Sequence, residues 1–392
     1  LRLLIIKISS LGDILNSTYV INAIKKQFPD INIDMVIDPK YQEFVENLNI
    51  VNNFFHFDES RFAKLIDFKK NKIKAFLNIF LVLKLIFTEI KKINKNKYDY
   101  LIDLQGIEKS LIFYLAVKSK KKACKWSLPY KNVKENKSMH AVLALFMTAR
   151  KLLPDLKIEF TRYEALNMNL KISGINGITE YPDILIGPFT RWETKNYSVV
   201  YYIILSVLLV EKSYKISFIG SRQDLLNWKQ QISDFQNYLN IKDENKKGFY
   251  QYQHNVLETF SNKDYFQLFE KYVESNMIKL DFGNYSFSEL TYLYTKVRLF
   301  IGSDSFLSHL AQAINLAQIY IFGPTSVMRF GPITKNISVV FRNNSLNCLE
   351  CHKRRCPKNG EQHIICMNSI DLKEIFDYSL KILSIVDKGK NK

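Results

Sequence analysis

Short, nearly unbroken apolar runs alternate with longer amphipathic stretches along this chain. In the first half "LRLLIIKI", "INIDMVI" and "YLIDL" read as buried strands, because leucine and β-branched side chains suit a sheet covered on both faces. Helical periodicity separates them over residues 13–28, within 62–95, and from near Lys109. The pattern lapses over "ISGINGITEYPD" (residues 172–183), where two glycines, a proline and the lack of any period mark a linker. It then restarts. "DILIGPF", "YKISFIG", "MIKLDFG", "VRLFIGSD" and "LAQIYIFGP" read as strands, residues 195–210 and 370–385 as helices, and the polar region 241–265 as a surface loop.

Strands alternating with helices specify an α/β protein with parallel sheets. The restart predicts two Rossmann-like domains, 1–178 and 179–392, the second ending in a cysteine-rich tail (348–366) and a terminal helix. Two doubly wound sheets in tandem predict a ligand cleft where the carboxyl ends of both face each other.

Composition leaves this picture intact: 47% hydrophobic residues allow substantial cores, and 13 glycines and 9 prolines in 392 residues argue against an all-β or low-complexity chain. Charge adds to it. The net charge is +18, and residues 61–97 hold ten lysines and one arginine against Asp67 and Glu89, an excess of +9. Residues 118–137 add eight lysines against Glu135. Such a half suits phosphates or an anionic membrane, with a solvated surface as the alternative. Nucleic acid would rest on charge alone, without a motif, and is not expected. No secretory signal is visible. "FLNIFLVLKLIF" (residues 76–87) is shorter than the roughly 20 apolar residues of a span. It reads as a helix buried on one face or lying on a bilayer. The expected location is cytoplasmic, peripheral on the inner membrane.

Four stretches carry candidate chemistry, each at a strand-to-helix turn. "KISSLGDILNS" places Ser10, Gly12 and Asp13 at a helix start, where Asp13 is either a cap or a rigid general base. "YDYLIDLQGIEKS" brings Asp103, Gln105 and Gly106 to the end of a buried strand, with capping suited to Asp103 and polyol binding to Gln105. "GPFTRWETKNYS" groups Thr190, Arg191 and Lys195 where a diphosphate could meet backbone amides and a cation. "FIGSDSFLSHLAQA", followed by "IYIFGPTS", delivers Asp304 and Ser305 to a helix N-terminus with His309 one turn on.

Taken in order, these stretches resemble glycosyltransferase family 9, the bacterial heptosyltransferases of lipopolysaccharide core assembly. "KISSLGD" is similar to K-x-S-S-L-G-D, "YDYLIDLQGIEKS" to Y-D-x-x-I-D-x-Q-G-x-x-K-S, and "GSDSFLSHLAQA…IYIFGPTS" to G-x-D-[ST]-G-x-x-H-x-A-x-A…F-G-P-T. "TRWETKNYS" resembles the family's lysine-containing turn, and "MHAVLALF" near His140 also fits. The resemblance implies the GT-B fold and an inverting, metal-independent transfer of a sugar, heptose from ADP-heptose. The implied acceptor is a lipid-linked glycan of lipopolysaccharide type. Asp13 would deprotonate the acceptor hydroxyl, with Ser10, Gly12, Asp103, Gln105 and Gly106 on the acceptor side. Thr190, Arg191, Lys195, Asp224, Asp304, Ser305, Phe306 and His309 would hold the nucleotide sugar, Asp224 at its ribose. Phe306 stands where the family has glycine, and Tyr197-Ser198 where it has Trp-Pro. Two alternatives remain: a nucleotide-sugar epimerase, which shares the two-domain architecture, and a sugar-nucleotide binder without catalysis, which the substitution at 306 suggests.

Cys348, Cys351, Cys356 and Cys366 follow the spacing C-x2-C-x4-C-x9-C, which suits either a structural zinc or reduced thiols. No cofactor is expected in the reaction.

Overall fold

In the computed structural model, residues 1–65, 72–125, 139–157, 180–240, 251–260, 263–333 and 337–390 are described. The chain divides into two compact units, Leu1–Lys171 and Ile172–Lys392. The domain boundary and most of the linker read from the sequence lie outside the described residues.

The first unit runs β1 (Arg2–Ile6), α1 (Leu11–Gln27), β2 (Asn32–Ile37), β3 (Asn53–His56), α2 (Glu59–Leu65), α3 (Lys72–Ile93), β4 (Tyr98–Asp103), α4 (Glu108–Ala116), β5 (Ser119–Cys124) and α5 (Ala141–Arg150). Its strands form a five-stranded parallel sheet in the order β3-β2-β1-β4-β5. Leu4 and Ile6 join Val82, Ile86, Ile90 and Ile93 of α3 and Phe113 of α4 in one core. Alternation along β1 leaves Leu3 and Ile5, also fully buried, for the opposite face. There α1 packs against α5. Strands β3 and β5 were not legible in the sequence. Both are edges, and β5, "SKKKAC", exposes Lys120 and Lys121, a polar composition that discourages pairing with another chain.

The second unit runs β6 (Ile184–Gly187), α6 (Val199–Val210), β7 (Ile216–Gly220), α7 (Arg222–Leu239), α8 (Gln251–Thr259), α9 (Tyr265–Glu274), β8 (Ile278–Phe282), α10 (Phe287–Lys296), β9 (Leu299–Ser303), α11 (Phe306–Ala313), β10 (Gln318–Ile321), β11 (Ser338–Phe341) and α12 (Leu372–Lys390). Its six-stranded sheet is ordered β11-β10-β9-β6-β7-β8, and its pairs are parallel. Helix α6, "VVYYIILSVLLV", is apolar all round and packs against α7, α8, α9 and α12, which is why its sequence lacks a polar face. The loop expected over 241–265 is corrected by α8, since residues 251–259 are helical; residues 241–250 lie outside the described ones.

Each sheet reverses its strand order once, between β1 and β4 in the first unit and between β9 and β6 in the second. Loops leaving neighbouring strands at such a point diverge to opposite faces and leave a crevice at the carboxyl edge. In the second unit Gly187 and Gly302 lie side by side at that edge. A Cβ on either would come within 3.0 or 2.7 Å of the Phe300 ring, so both positions require glycine for packing.

Candidate active site

All four predicted turns leave the strands that flank the two reversal points, and the second is built on the buried carboxylate of Asp103. One of its oxygens accepts from the Gln105 and Gly106 amides at 2.9 and 3.0 Å, the other from the Ser110 hydroxyl at 2.8 Å. Gly106 takes φ +60°, which a side chain would strain. The turn aims Gln105 at the neighbouring loop, where its Oε1 accepts from the Ile8 and Ser9 amides, both at 3.0 Å. Lys109 adds a bond to the Ser9 hydroxyl at 2.7 Å and an ion pair with Glu59 at 2.7 Å. Asp103, Gln105 and Gly106, expected to touch an acceptor, thus spend these contacts shaping the loop that carries Asp13.

Asp13 stands in the first turn of α1 and meets solvent. Its Oδ2 accepts from the Ser10 amide at 3.4 Å and the Ser10 hydroxyl at 2.9 Å, so it caps the helix. Among the described residues no hydrogen bond to Oδ1 is present. Crowding by protein pushes its carboxyl up. The charges of Lys7 and Lys125 and the Ser10 bonds outweigh that effect and hold it below the ordinary 3.8.

Lys7 is the residue that sequence reasoning missed. It lies just beyond β1, only 2% exposed, and among the described residues its ammonium has neither a hydrogen bond nor an ion pair. Burial pulls its pKa down to about 8, with attraction to Asp13 and Asp103 opposing and Lys125 and Lys109 adding repulsion. The available signal was a lone charge inside the apolar run "LLIIKI".

In the second unit Asp304 is the hub. It is 5% exposed, and its Oδ2 accepts from Lys195 Nζ at 2.7 Å and from the Thr325 hydroxyl at 2.8 Å. His309 Nε2 lies 3.5 Å from Oδ1, and its Nδ1 meets the Tyr320 hydroxyl at 3.2 Å. Burial would raise the Asp304 carboxyl, but the His309 hydrogen bond and the Lys195 charge hold it well below the usual carboxylate range. Lys195 also touches the Asp304 carbonyl at 3.3 Å and lies 4.7 Å over the Trp192 ring.

Ser305 starts α11, and its Oγ is buried without a hydrogen-bond partner among the described residues. An unpartnered hydroxyl at a helix N-terminus near a lysine is an arrangement that suits an anion. Phe306 opens the helix without positive φ, and its ring lies 5.9 Å edge-on from Phe287 of α10, so the chain path here does not depend on glycine.

The remaining predicted residues are placed less centrally. The Thr190 hydroxyl closes its own turn, donating to the Trp192 carbonyl at 2.8 Å and accepting from the Trp192 amide at 3.1 Å. Arg191 is exposed. Asp224 caps α7, accepting from the Ser221 amide and hydroxyl at 2.7 and 2.8 Å. Gly12 lies within the first turn of α1.

The cysteine-rich tail has a mechanical part in the site. Thr194 donates to the Lys353 carbonyl at 2.7 Å, His363 lies 3.3 Å from Glu193, and the Arg354 guanidinium sits 5.3 Å over Trp192. These contacts brace the short turn that holds Lys195. The thiols are not disulfide-bonded, and among the described residues no group of three or more His, Cys, Asp or Glu side chains is arranged to hold a metal ion. Burial, together with Cys348, Cys351 and Cys356, pushes the Cys366 thiol up to about 12, which leaves it unreactive.

Comparison with solved structures defines the class first: this is a GT-B fold. E. coli heptosyltransferase WaaC with ADP matches with a TM-score of 0.64 at 16% identity, covering 97% of this chain and 100% of that one. The glycosyltransferase family 9 structure from Veillonella parvula DSM 2008 matches with a TM-score of 0.65 at 15% identity, covering 97% of each chain. Within that fold, residues 253–361 match glycosyltransferase family 9 (heptosyltransferase), the family the motifs resemble. Lipopolysaccharide heptosyltransferase 1 of Campylobacter coli is 30% identical over 112 residues, which cover 29% of this chain and 27% of that protein. The matched family segment contains Asp304, Ser305, His309 and Thr325.

Proposed function

We propose that this chain is an inverting glycosyltransferase that moves a heptose from ADP-heptose onto a lipopolysaccharide-type acceptor. The observation that carries the reading is the anion receptor at the start of α11: Lys195 fixed on Asp304, with the unpartnered Ser305 hydroxyl at the helix N-terminus. ADP accompanies the E. coli WaaC structure whose fold this chain shares, and a nucleoside diphosphate supplies the anion such a receptor takes.

Departure of the diphosphate concentrates negative charge on its oxygens. Lys195 and the α11 amides oppose that charge, and being already fixed they need little reorganisation. This is the role a divalent cation fills in other transferases, and the proposed reaction uses none. Asp13 takes the proton of the attacking hydroxyl on Oδ1 while Oδ2 stays on Ser10. Attack from the side opposite the leaving diphosphate inverts the anomeric carbon. Lys7 stabilises the ionised form of Asp13, so the base is free of its proton at neutral pH.

Lys195→Met removes the cation from the receptor. ADP should then stabilise the protein less, with affinity lowered by about tenfold or more. Unchanged ADP affinity in a folded Lys195→Met protein would contradict the assignment of the donor pocket.

A further inference from the structure

Helix α3 carries two apolar stripes, and only one has a partner. Val82, Ile86, Ile90 and Ile93 turn into the core of the first unit. Phe76, Phe80, Leu83 and Phe87 follow the spacing i, i+4, i+7, i+11 and are exposed by 59%, 63%, 37% and 47%. At 100° per residue these four fall within an arc of about 60°. Phe76 and Phe80 pack edge to face at 5.8 Å, so the stripe opens on a pair of touching rings and forms an apolar ridge. Helix α4, whose Phe113 packs in the same core, exposes Leu111 and Leu115. A ridge of this kind is too large an apolar surface to leave in water without function.

The charges beside it select the partner. Lys84 and Lys91 border the ridge, both exposed and, among the described residues, without an ion pair. Exposed Lys92, Lys95 and Lys97 follow at the end of the helix; of these Lys92 pairs with Glu89 at 2.6 Å. A second apolar protein surface would satisfy the phenylalanines but not the flanking ammonium groups. An anionic bilayer satisfies both, with rings among the acyl chains and lysines at the phosphates. Among the described residues no helix is long and apolar enough to cross a membrane, so a ridge that meets a bilayer would do so in the interface plane.

We infer that the exposed face of α3 docks the protein on an anionic lipid surface, through the Phe76–Phe80–Leu83–Phe87 ridge and its flanking lysines. The inference rests on the proposed function in one respect, that a lipid-linked acceptor is presented at such a surface.

Flotation of the full chain with vesicles of equal parts phosphatidylglycerol and phosphatidylcholine, and with phosphatidylcholine alone, tests it. The wild type should float with the anionic vesicles and far less with the neutral ones. Phe80→Ser/Phe87→Ser should lower its partitioning by about tenfold or more. Lys84→Gln/Lys91→Gln should lower it by about fivefold per lysine, on the anionic vesicles only. A wild type that stays unbound with both, or a serine variant that floats equally well, would overturn the inference. So would a wild-type dimer that the serine variant dissociates and that never floats, since the ridge would then be covered by a second copy. Stabilisation by ADP without vesicles reads the donor pocket separately. Its persistence in both variants ties lost flotation to the ridge, and its absence from the wild type would count against the proposed function instead.

Discussion

Lys7 and Asp304 are buried charges with opposite consequences. Lys7 has a folded-state pKa of about 8 against its ordinary 10.5, so the unfolded chain binds the extra proton between those values. Its burden on stability is therefore complete below pH 8 and disappears as pH rises to 10.5. By linkage that burden is about 3 kcal/mol. Lys7→Met should raise the unfolding free energy at pH 7 by up to about that amount and remove the gain in stability on alkalinisation, while transfer activity falls. Denaturant titrations at pH 7 and 10 check this; a destabilised Lys7→Met protein at pH 7 would show that the ammonium is held by a favourable contact. Asp304 has a depressed pKa, so its contribution is complete above the ordinary 3.8 and is lost as pH falls through the lower folded value. Asp304→Asn leaves Lys195 without its counter-charge. It should cost about 3 kcal/mol at pH 7, an effect that fades in acid, read by the same titrations.

Loops at the strand ends depend on a few backbone positions. Gly106→Ala places a side chain at φ +60° and should destabilise by about 1–2 kcal/mol. It should also weaken transfer through the Gln105 bonds to the Asp13 loop, while ADP binding is untouched; thermal unfolding and ADP titration separate these effects. The elements holding both sites were readable in advance because β1, β4, β6 and β9 are central strands, buried on both faces and written as apolar runs. The edge strands β3, β5 and β11 were not, since one side of each is solvated and β5 is lysine-rich. Asp13, Lys195 and Asp304 could be picked out because each sits on a turn after such a run. The capping by Asp103 is local and was legible, but sequence could not show that Gln105 bonds the Ile8 and Ser9 amides nearly a hundred residues away, nor that Lys7 has no hydrogen bond or ion pair among the described residues. The bracing of the Lys195 turn by the tail was hidden for the same reason: Thr194 and Lys353 are 159 residues apart.

Each unit contributes a different half of the proposed chemistry, the base from the first and the anion receptor from the second. A variant that removes the base should therefore separate them. Asp13→Asn keeps an oxygen for the Ser10 cap but cannot take a proton, so the fold and the receptor are preserved. The decisive measurement is sugar transfer by Asp13→Asn, made beside its ADP-heptose affinity. Transfer should fall by about a thousandfold while the affinity stays within a factor of two or so of wild type. Transfer at the wild-type rate would remove Asp13 from the reaction and contradict the mechanism.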